Sequence, residues 1–577
     1  MTSIIVGARP RRRTPTRTSQ ALFEAKAAVF RARRGLTELG RAPPRLSRVA
    51  DRAAFGVVVA RSVTPLWADP NLSEQVMQLG KVQNLRRAAA ALDGLVLGPG
   101  QVFSFWRQVG QATKGRGFVP GRMLREGCMM PAVGGGLCQL SNALYDVALT
   151  AGCRILERHA HSFRVPGSAT AEGRDATVAW NYVDLRFAST TELLLSVRLS
   201  QRDLTVSLSR RDARAEPPVA EPSASPDAAP AAEVESCDTC DETDCSFHDG
   251  SGGQGGAGRA AYMVDEFWPE FASCVANERQ AGDLICAPTL RRWSRAGFGE
   301  AYEATWQSAM RSLGWRLTPP QGAARRATDA ASTAAMARAL ARRLAPDVTE
   351  ITVAQSLLPQ LWREGALGGR KVRVLMTRLP IAVLEARLDA AAKTHPDRPT
   401  LADYRADPWL AEAEAEALAA ADEIVTPHAE IAALFGERAR LLDWMRPAAP
   451  AQPPRRGDVF ALPGPTVARK GAYEVREAAR RLGVKLRPIG AELEGASFWT
   501  DVELAPAEPG ADWLDGVRAV VHPALAEAMP RRLLEALAAG VPVIATAACG
   551  LAPQAGLTLV PMDDVEALVA AMEAVAP

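Results

Sequence analysis

The sequence predicts a multidomain chain, an α+β domain followed by an α/β module with parallel strands. Three observations carry this. At 577 residues the chain exceeds what one core supports, since single domains run on the order of 100–200 residues. From Ala213 to Glu235, Pro, Ala, Glu and Ser crowd together without hydrophobic periodicity, so no core offsets chain entropy and the stretch reads as a linker. Further on, Ala519-Val520-Val521, a helix opened by Pro530 and closed by Gly540, and Val541 to Thr546 read as strand, helix and parallel strand.

The elements follow in order. Residues 1–50 form a basic arm and helix, with Arg9, Arg11, Arg12, Arg13 and Arg17 ahead of a helix from about Ser19 to Leu36. No apolar run of a signal peptide follows the arm, and no stretch approaches the roughly 20 apolar residues of a membrane span, so a cytoplasmic location is expected. Leu22, Phe23, Val29 and Phe30 alternate with Lys26, Arg31, Arg33 and Arg34. That pattern fits a peripheral contact with the anionic inner face of a membrane, or a basic solvated helix packed on its own domain, and the second is the simpler reading. Lys+Arg 68 against Asp+Glu 65 leaves a net charge of +3, too little to argue for a nucleic-acid partner.

Residues 51–212 read as the α+β domain. Leu140, Ala143, Leu144, Val147, Ala148 and Ala151 fall at helical spacing, while Ala176 to Trp180, Tyr182 to Phe187, Leu193 to Leu199 and Leu204 to Leu208 are β-prone runs of an antiparallel sheet. Cys138 therefore sits between the Gly134-Gly135-Gly136 turn and the start of a helix, where the dipole and free backbone N–H groups favour a thiolate. His159 and His161 are the nearby imidazoles, and an extended His-Ala-His would present both on one face as bases. Read from residues alone, the same pattern also fits a buried structural thiol and a histidine that satisfies a hydrogen bond.

Asn84-Leu85, Gly94, Pro99-Gly100, Val102-Phe103-Ser104-Phe105, Val109-Gly110, Gly117-Phe118, Gly134 to Asn142, Glu157 to Ser162 and Asp184-Leu185-Arg186-Phe187 together resemble the VanW family over about Asp51 to Arg210. That family is named for its association with vancomycin-resistance gene clusters, and some exported members are linked to L,D-transpeptidase chemistry on peptidoglycan. The resemblance implies Cys138 as acyl acceptor with His161, or His159, as its base.

A Pro/Ala-rich linker at 213–236 and a glycine-rich one at 250–262 bracket an island at 237–249. Its Cys237, Cys240, Cys245 and His248 give C-x2-C-x4-C-x2-H, three thiolates and an imidazole that can close a tetrahedral Zn2+ site. An iron–sulfur cluster completed by Cys274 or Cys286 is the competing reading. Nine cysteines in 577 residues do not read as a disulfide framework.

Residues 263–446, with buried strands at Lys371 to Met376 and Glu423 to Val425, and residues 457–577 are α/β units parted by the proline-rich stretch Pro447 to Arg456. In the last unit a strand Val459 to Leu462, a Gly464 turn and a helix from about Gly471 to Leu482 precede the strand–helix–strand pattern. Glu527 and Glu535 form an E-x7-E pair around the Pro530 helix, a pair that also occurs on ordinary solvated helices. His522-Pro523, Glu527, Leu534-Glu535-Ala536, Ala539 to Thr546 and Gly550 resemble the donor-binding half of retaining glycosyltransferases of the glycosyltransferase family 4 type, and Arg469-Lys470-Gly471 resembles its basic element. The resemblance implies a GT-B fold of two Rossmann-like domains, with Arg469 and Lys470 on the diphosphate of a nucleotide-sugar, Glu535 on its ribose or sugar, Glu527 on the donor sugar, and His428 on the acceptor side. Pro465 stands near where that family presents an arginine after glycine.

The function expected is sugar transfer, of hexosyltransferase type, from a nucleotide-sugar to an envelope glycan or lipid-linked precursor. The alternatives are a cysteine acyl-transferase acting on peptidoglycan precursors through Cys138, and a non-catalytic metal-binding scaffold with a degenerate glycosyltransferase fold.

Overall fold

The computed structural model describes residues 16–49, 52, 54–67, 75–125, 128–161, 173–211, 235–236, 258–266, 268–288, 301–318, 323–403, 405–506 and 512–575. The chain forms two compact units. One comprises Met1–Arg259, Leu344–Glu350 and Trp362–Lys371, and the other Ala260–Arg343, Ile351–Leu361 and Val372–Pro577.

In the first unit an antiparallel sheet runs in the order Val57–Pro65, Asp203–Arg210, Leu193–Leu199, Leu95–Leu97. Along Asp203–Arg210 the side chains alternate, with Leu204, Val206 and Leu208 buried and Thr205 and Ser207 half-buried. The period of two makes one face apolar. The helices Gln75–Leu92 and Leu137–Thr150 close that face with Val82, Leu85, Ala89 and Leu92 from the first and Leu140, Leu144, Val147 and Ala148 from the second. Burying each large aliphatic side chain contributes roughly 1.5–3 kcal/mol.

Three expectations need correction here. The runs 176–180 and 182–187 are not full strands: Ala179 and Val183 form a single bridge around Asn181, whose φ of 57° makes a tight turn, and the strand begins only at Arg186–Ala188. The expected linker 213–236 ends in structure, because Glu235–Ser236 adds in parallel to Cys128–Val133, itself paired antiparallel with Pro120–Arg125. The helix predicted near Ser19–Leu36 spans Arg17–Thr37, but it does not lay an apolar face on its domain. Ala27 is buried while Leu22, Phe23, Val29 and Phe30 are exposed. Its hold is polar instead: Arg34 binds both carboxylate oxygens of Glu157 at 2.6 Å, helped by Phe30 stacked near Tyr182.

The second unit supplies most of the residues of two parallel sheets. The upstream one runs Ala301–Glu303, Leu284–Ala287, Arg259–Met263, Val348–Ala354, Lys371–Leu375, Glu423–Thr426, Ala439–Leu441, so a strand already starts inside the range expected as glycine-rich linker. The downstream sheet runs Lys485–Pro488, Val459–Leu462, Val517–His522, Val543–Thr546, Leu557–Val560, every pair parallel. Both of its faces are covered. Phe460, Leu462, Ala519, Val521 and Ile544 pack with Val475, Ala478, Leu568 and Met572 of the helices Ala472–Leu482 and Val565–Glu573. The alternate residues Ala461, Val520, Val543 and Ala545 pack with Leu533, Leu534 and Ala536 of the helix Arg531–Ala538. This is a doubly wound, Rossmann-like sheet, which explains why its strands read as continuous apolar runs.

Candidate functional sites

In the first unit the glycine turn places the thiol. Gly136 has φ 92°, and a Cβ there would stand 2.1 Å from Lys81 Cγ. A Cβ at Gly135 would stand 2.2 Å from the Gly121 carbonyl oxygen, so the turn passes directly against the neighbouring strand. Asn84, fully buried, fastens it by donating to the Val119 and Gly135 carbonyls, both at 2.9 Å, and by accepting from the Val119 N–H at 2.9 Å. Leu137 then starts the helix, with Cys138 half-buried in its first turn.

The same helix holds the segment opposite. Ser141 Oγ donates to the Ala176 carbonyl at 2.6 Å, and Asn142 Oδ1 accepts from the Ala176 N–H at 2.7 Å. Asp175 and Thr177 flank that residue. Thr177 Oγ1 lies 3.5 Å from Cys138 Sγ, and its N–H donates to the His159 carbonyl at 2.7 Å. Asp175 Oδ1 meets His161 Nδ1 at 2.6 Å while Oδ2 accepts from the His161 N–H at 2.6 Å. The His161 imidazole also acts on the Cys138 thiol, its nearness favouring the thiolate. The arrangement is a thiol, an imidazole and an orienting carboxylate in series, the order needed to deprotonate a nucleophile.

The electrostatics point the same way. Burial opposes a charged thiol, but the hydrogen bond and charge of His161, with Thr177 and the Val178 N–H, bring Cys138 below its ordinary value. Burial likewise opposes the imidazolium, yet Asp175 and Cys138 push His161 up to about 10. Asp175 is held below its usual value against burial, chiefly by His161. The favoured state is therefore thiolate and imidazolium. The two histidines do not share a face: His159 is exposed and lies 3.4 Å from Glu157.

In the second unit the downstream sheet has a topological switch point, where the chain leaves Val459–Leu462 for one neighbour and later returns beside it on the other side with Val517–His522. Ligands in such sheets bind beyond the carboxyl ends of the strands at this crevice. Gly471, φ 78°, lets the two loops close, since a Cβ there would stand 2.5 Å from the Pro523 carbonyl oxygen. There Lys470 Nζ contacts Glu527 Oε2 at 2.6 Å and the Ala526 carbonyl at 3.1 Å, and His522 Nε2 lies 2.8 Å from the same Glu527 oxygen.

Burial acts on all three groups. It pulls Lys470 and His522 down, the attraction of Glu527 only partly offsetting it. It would raise Glu527, but the His522 hydrogen bond and the Lys470 charge hold that carboxylate well below its usual range. His522 is thus neutral and donates Nε2–H to Glu527. His428 is also buried and neutral, with Nε2–H donating to the Glu527 carbonyl at 3.1 Å and its ring packed on Gly550. Its Nδ1 has no hydrogen-bond partner among the described residues.

Of the sequence-predicted residues, the structure brings Cys138 to His161, and Lys470 to Glu527 with His428 alongside. Arg469 is half-buried next to Lys470, while Glu535 is exposed on the helix Arg531–Ala538. Cys237, Cys240, Cys245 and His248 lie outside the described residues. Cys274 and Cys286, the proposed fourth ligands, are buried, and Cys274 donates to Glu278 at 3.3 Å. Among the described residues no cluster of three metal-ligating side chains forms, and no helix is long and apolar enough to cross a membrane. Sequence reasoning missed Asp175, Thr177 and the role of His522. His522 carried a signal, five residues before Glu527 at a strand end, whereas Asp175 carried none.

Two family models match segments of the chain. Residues 80–209 match the family described as VanW like protein, and residues 473–576 match glycosyl transferases group 1. The chain is 35% identical over 133 residues to the vancomycin B-type resistance protein VanW of Enterococcus faecalis, covering 22% of this chain and 48% of that protein. It is 38% identical over 104 residues to the uncharacterized protein YoaR of Bacillus subtilis, covering 18% and 34%. The chain thus spans less than half the length of these curated relatives. Among solved structures it is similar to an α,α-trehalose-phosphate synthase (UDP-forming) from Burkholderia vietnamiensis, at 12% identity and TM-score 0.33 over 55% of this chain and 91% of that one. It is also similar to HepE of Anabaena in complex with UDP and glucose, at 11% identity and TM-score 0.32 over 55% and 89%.

Proposed function

We propose, from the premise that one chain carries a VanW-like domain and a group 1 glycosyl transferase domain, that it transfers a sugar from a nucleotide-sugar to an envelope glycan or lipid-linked precursor. The observation that carries this is the Lys470–Glu527–His522 cluster at the switch point. A donor diphosphate entering the crevice meets a buried ammonium, joined by Arg469, and competes with Glu527 for it. Charge developing on the leaving diphosphate is then stabilised in a low-dielectric setting. Glu527, released from Lys470, is free to accept from a donor sugar hydroxyl, while Glu535 is read as the ribose contact and His428 as the acceptor-side residue of a retaining, hexosyltransferase-type reaction. Replacing Lys470 with Ala, and separately Glu535 with Ala, should lower donor hydrolysis and transfer by about 100-fold or more. Unchanged turnover in both variants would remove the assignment.

A second reading rests on the Cys138–His161–Asp175 series. The thiolate would attack a peptide carbonyl of a peptidoglycan precursor and expel the amine, which takes its proton from His161, leaving a thioester. A second amine would then attack the thioester as His161 accepts its proton, and the thiolate is restored. Covalent trapping of Cys138 by a D-amino-acid-containing peptide, abolished in Cys138→Ala, is the result expected. An unreactive thiol that wall peptides do not protect would end this reading.

The cysteine island is proposed as a Zn2+ knuckle, with metal content of the full chain, lost on replacing Cys237 and Cys240 with Ser, as its measure. Peripheral contact with a membrane surface, proposed at the inner face, is supported by the exposed Leu22, Phe23, Val29 and Phe30 on the basic Arg17–Thr37 helix.

A further inference from the structure

The helix Thr305–Leu317 of the second unit is turned inside out relative to a solvent-facing helix. Trp306, Met310, Leu313 and Leu317 follow at spacings of four, three and four, which places them in one narrow sector. All four are exposed, Trp306 by 70% and Leu317 by 76%. The buried residue of this helix is a polar one, Ser308, whose hydroxyl donates to the Pro288 carbonyl at 2.6 Å. On the opposite side Trp315 sits between the guanidinium groups of Arg311 and Arg325, 4.5 and 4.8 Å from its ring, and donates its indole N–H to Asp329 of the helix Ala323–Ala341. The helix is thus anchored through polar and cation–π contacts and shows its apolar stripe to water.

Charge says what would cover it. From Ala304 to Arg343 the chain has seven arginines and one acidic residue, Asp329, which already pairs with Arg325. Arg316 is exposed and flanks the stripe. A second copy of this stripe would bring Arg316 against its own image, whereas an anionic bilayer offers both phosphates for Arg316 and an apolar boundary for the stripe. A helix of 13 residues rises about 20 Å, short of the roughly 30 Å hydrocarbon core, so it would lie on the surface and not span it.

We propose that the helix Thr305–Leu317 docks the second unit on an anionic lipid surface, with Trp306, Met310, Leu313 and Leu317 in the headgroup–acyl boundary and Arg316 at the phosphates. This stands apart from sugar transfer, because binding needs no donor. The test uses the full chain with vesicles of phosphatidylcholine containing one third phosphatidylglycerol, and with pure phosphatidylcholine. Hydrogen exchange resolves this helix from the Arg17–Thr37 helix. The expected results are slowed exchange across 305–317 on the anionic vesicles alone, reversed by high salt. Leu313→Glu with Leu317→Glu should remove that protection and reduce vesicle-bound protein by about tenfold. Both leucines are exposed, so folding is preserved, and Arg316→Glu, which leaves the stripe intact, should weaken binding to the anionic vesicles. Unaltered exchange at 305–317 on anionic vesicles would overturn the proposal. So would equal protection on both vesicle types, or protection that grows with protein concentration in their absence, which would mark a second copy as the occupant.

Discussion

At the scale of single residues, the candidate site of the first unit rests on the coupled protonation of Cys138 and His161. The thiol lies below its ordinary value and the imidazole is pushed up to about 10, so the ion pair exists between those two pH values. Alkylation of Cys138 by iodoacetamide should therefore rise at lower pH than for a free cysteine, near 8.5, and stay level until His161 loses its proton near about 10. Asp175→Asn should move the rise toward the free-thiol value, and His161→Ala should move it further; an unshifted profile in both would refute the coupling. The same shift sets a pH window for stability. Because folding raises His161 above its ordinary 6.5, the stability it lends is complete below about 6.5 and is lost as pH rises through about 10.

At the scale of elements, the helix Leu137–Thr150 does more than position the Cys138 thiol. Asn84 on the neighbouring helix satisfies three backbone groups around the glycine turn. Asn84→Ala should cost about 2–4 kcal/mol of stability by denaturant melting and should also slow Cys138 alkylation, whereas a loss below 0.5 kcal/mol would show the turn holds itself. The pattern of local versus distant contacts also explains what the sequence made legible. The helix after Cys138, the strand Val459–Leu462 and the strand–helix–strand run to Thr546 follow from periodicity within one window, and all form as expected. The strands expected at 176–187 do not, because side chains and turns had already claimed their backbone: Asn142 and Ser141 take both groups of Ala176, and His159 takes the Thr177 N–H. Residues chosen for β-propensity were in fact serving as a mount for Asp175. That carboxylate was invisible in sequence, standing 14 residues from its imidazole with no spacing rule to connect them.

For the whole molecule, two units with separate cores should report two ligands independently. UDP-, GDP- or dTDP-sugars should raise the melting transition of the second unit, by about 2.7 kcal/mol at 100 times Kd, and leave the first unchanged; Cys138→Ala should not alter that shift. A single transition responding to every nucleotide alike would contradict the division. One feature of that division reaches back to biosynthesis. The first unit is discontinuous, and its fully buried Arg86, on the helix that also carries Asn84, donates to the carbonyls of Gly368 and Gly369. Those carbonyls are made about 110 residues after Arg259 is added, a delay of roughly 5–20 s at ordinary elongation rates. Until then the nascent polypeptide holds a guanidinium whose acceptors have not been translated, so vectorial synthesis leaves the thiol domain waiting, unfinished, for a segment encoded well downstream of it.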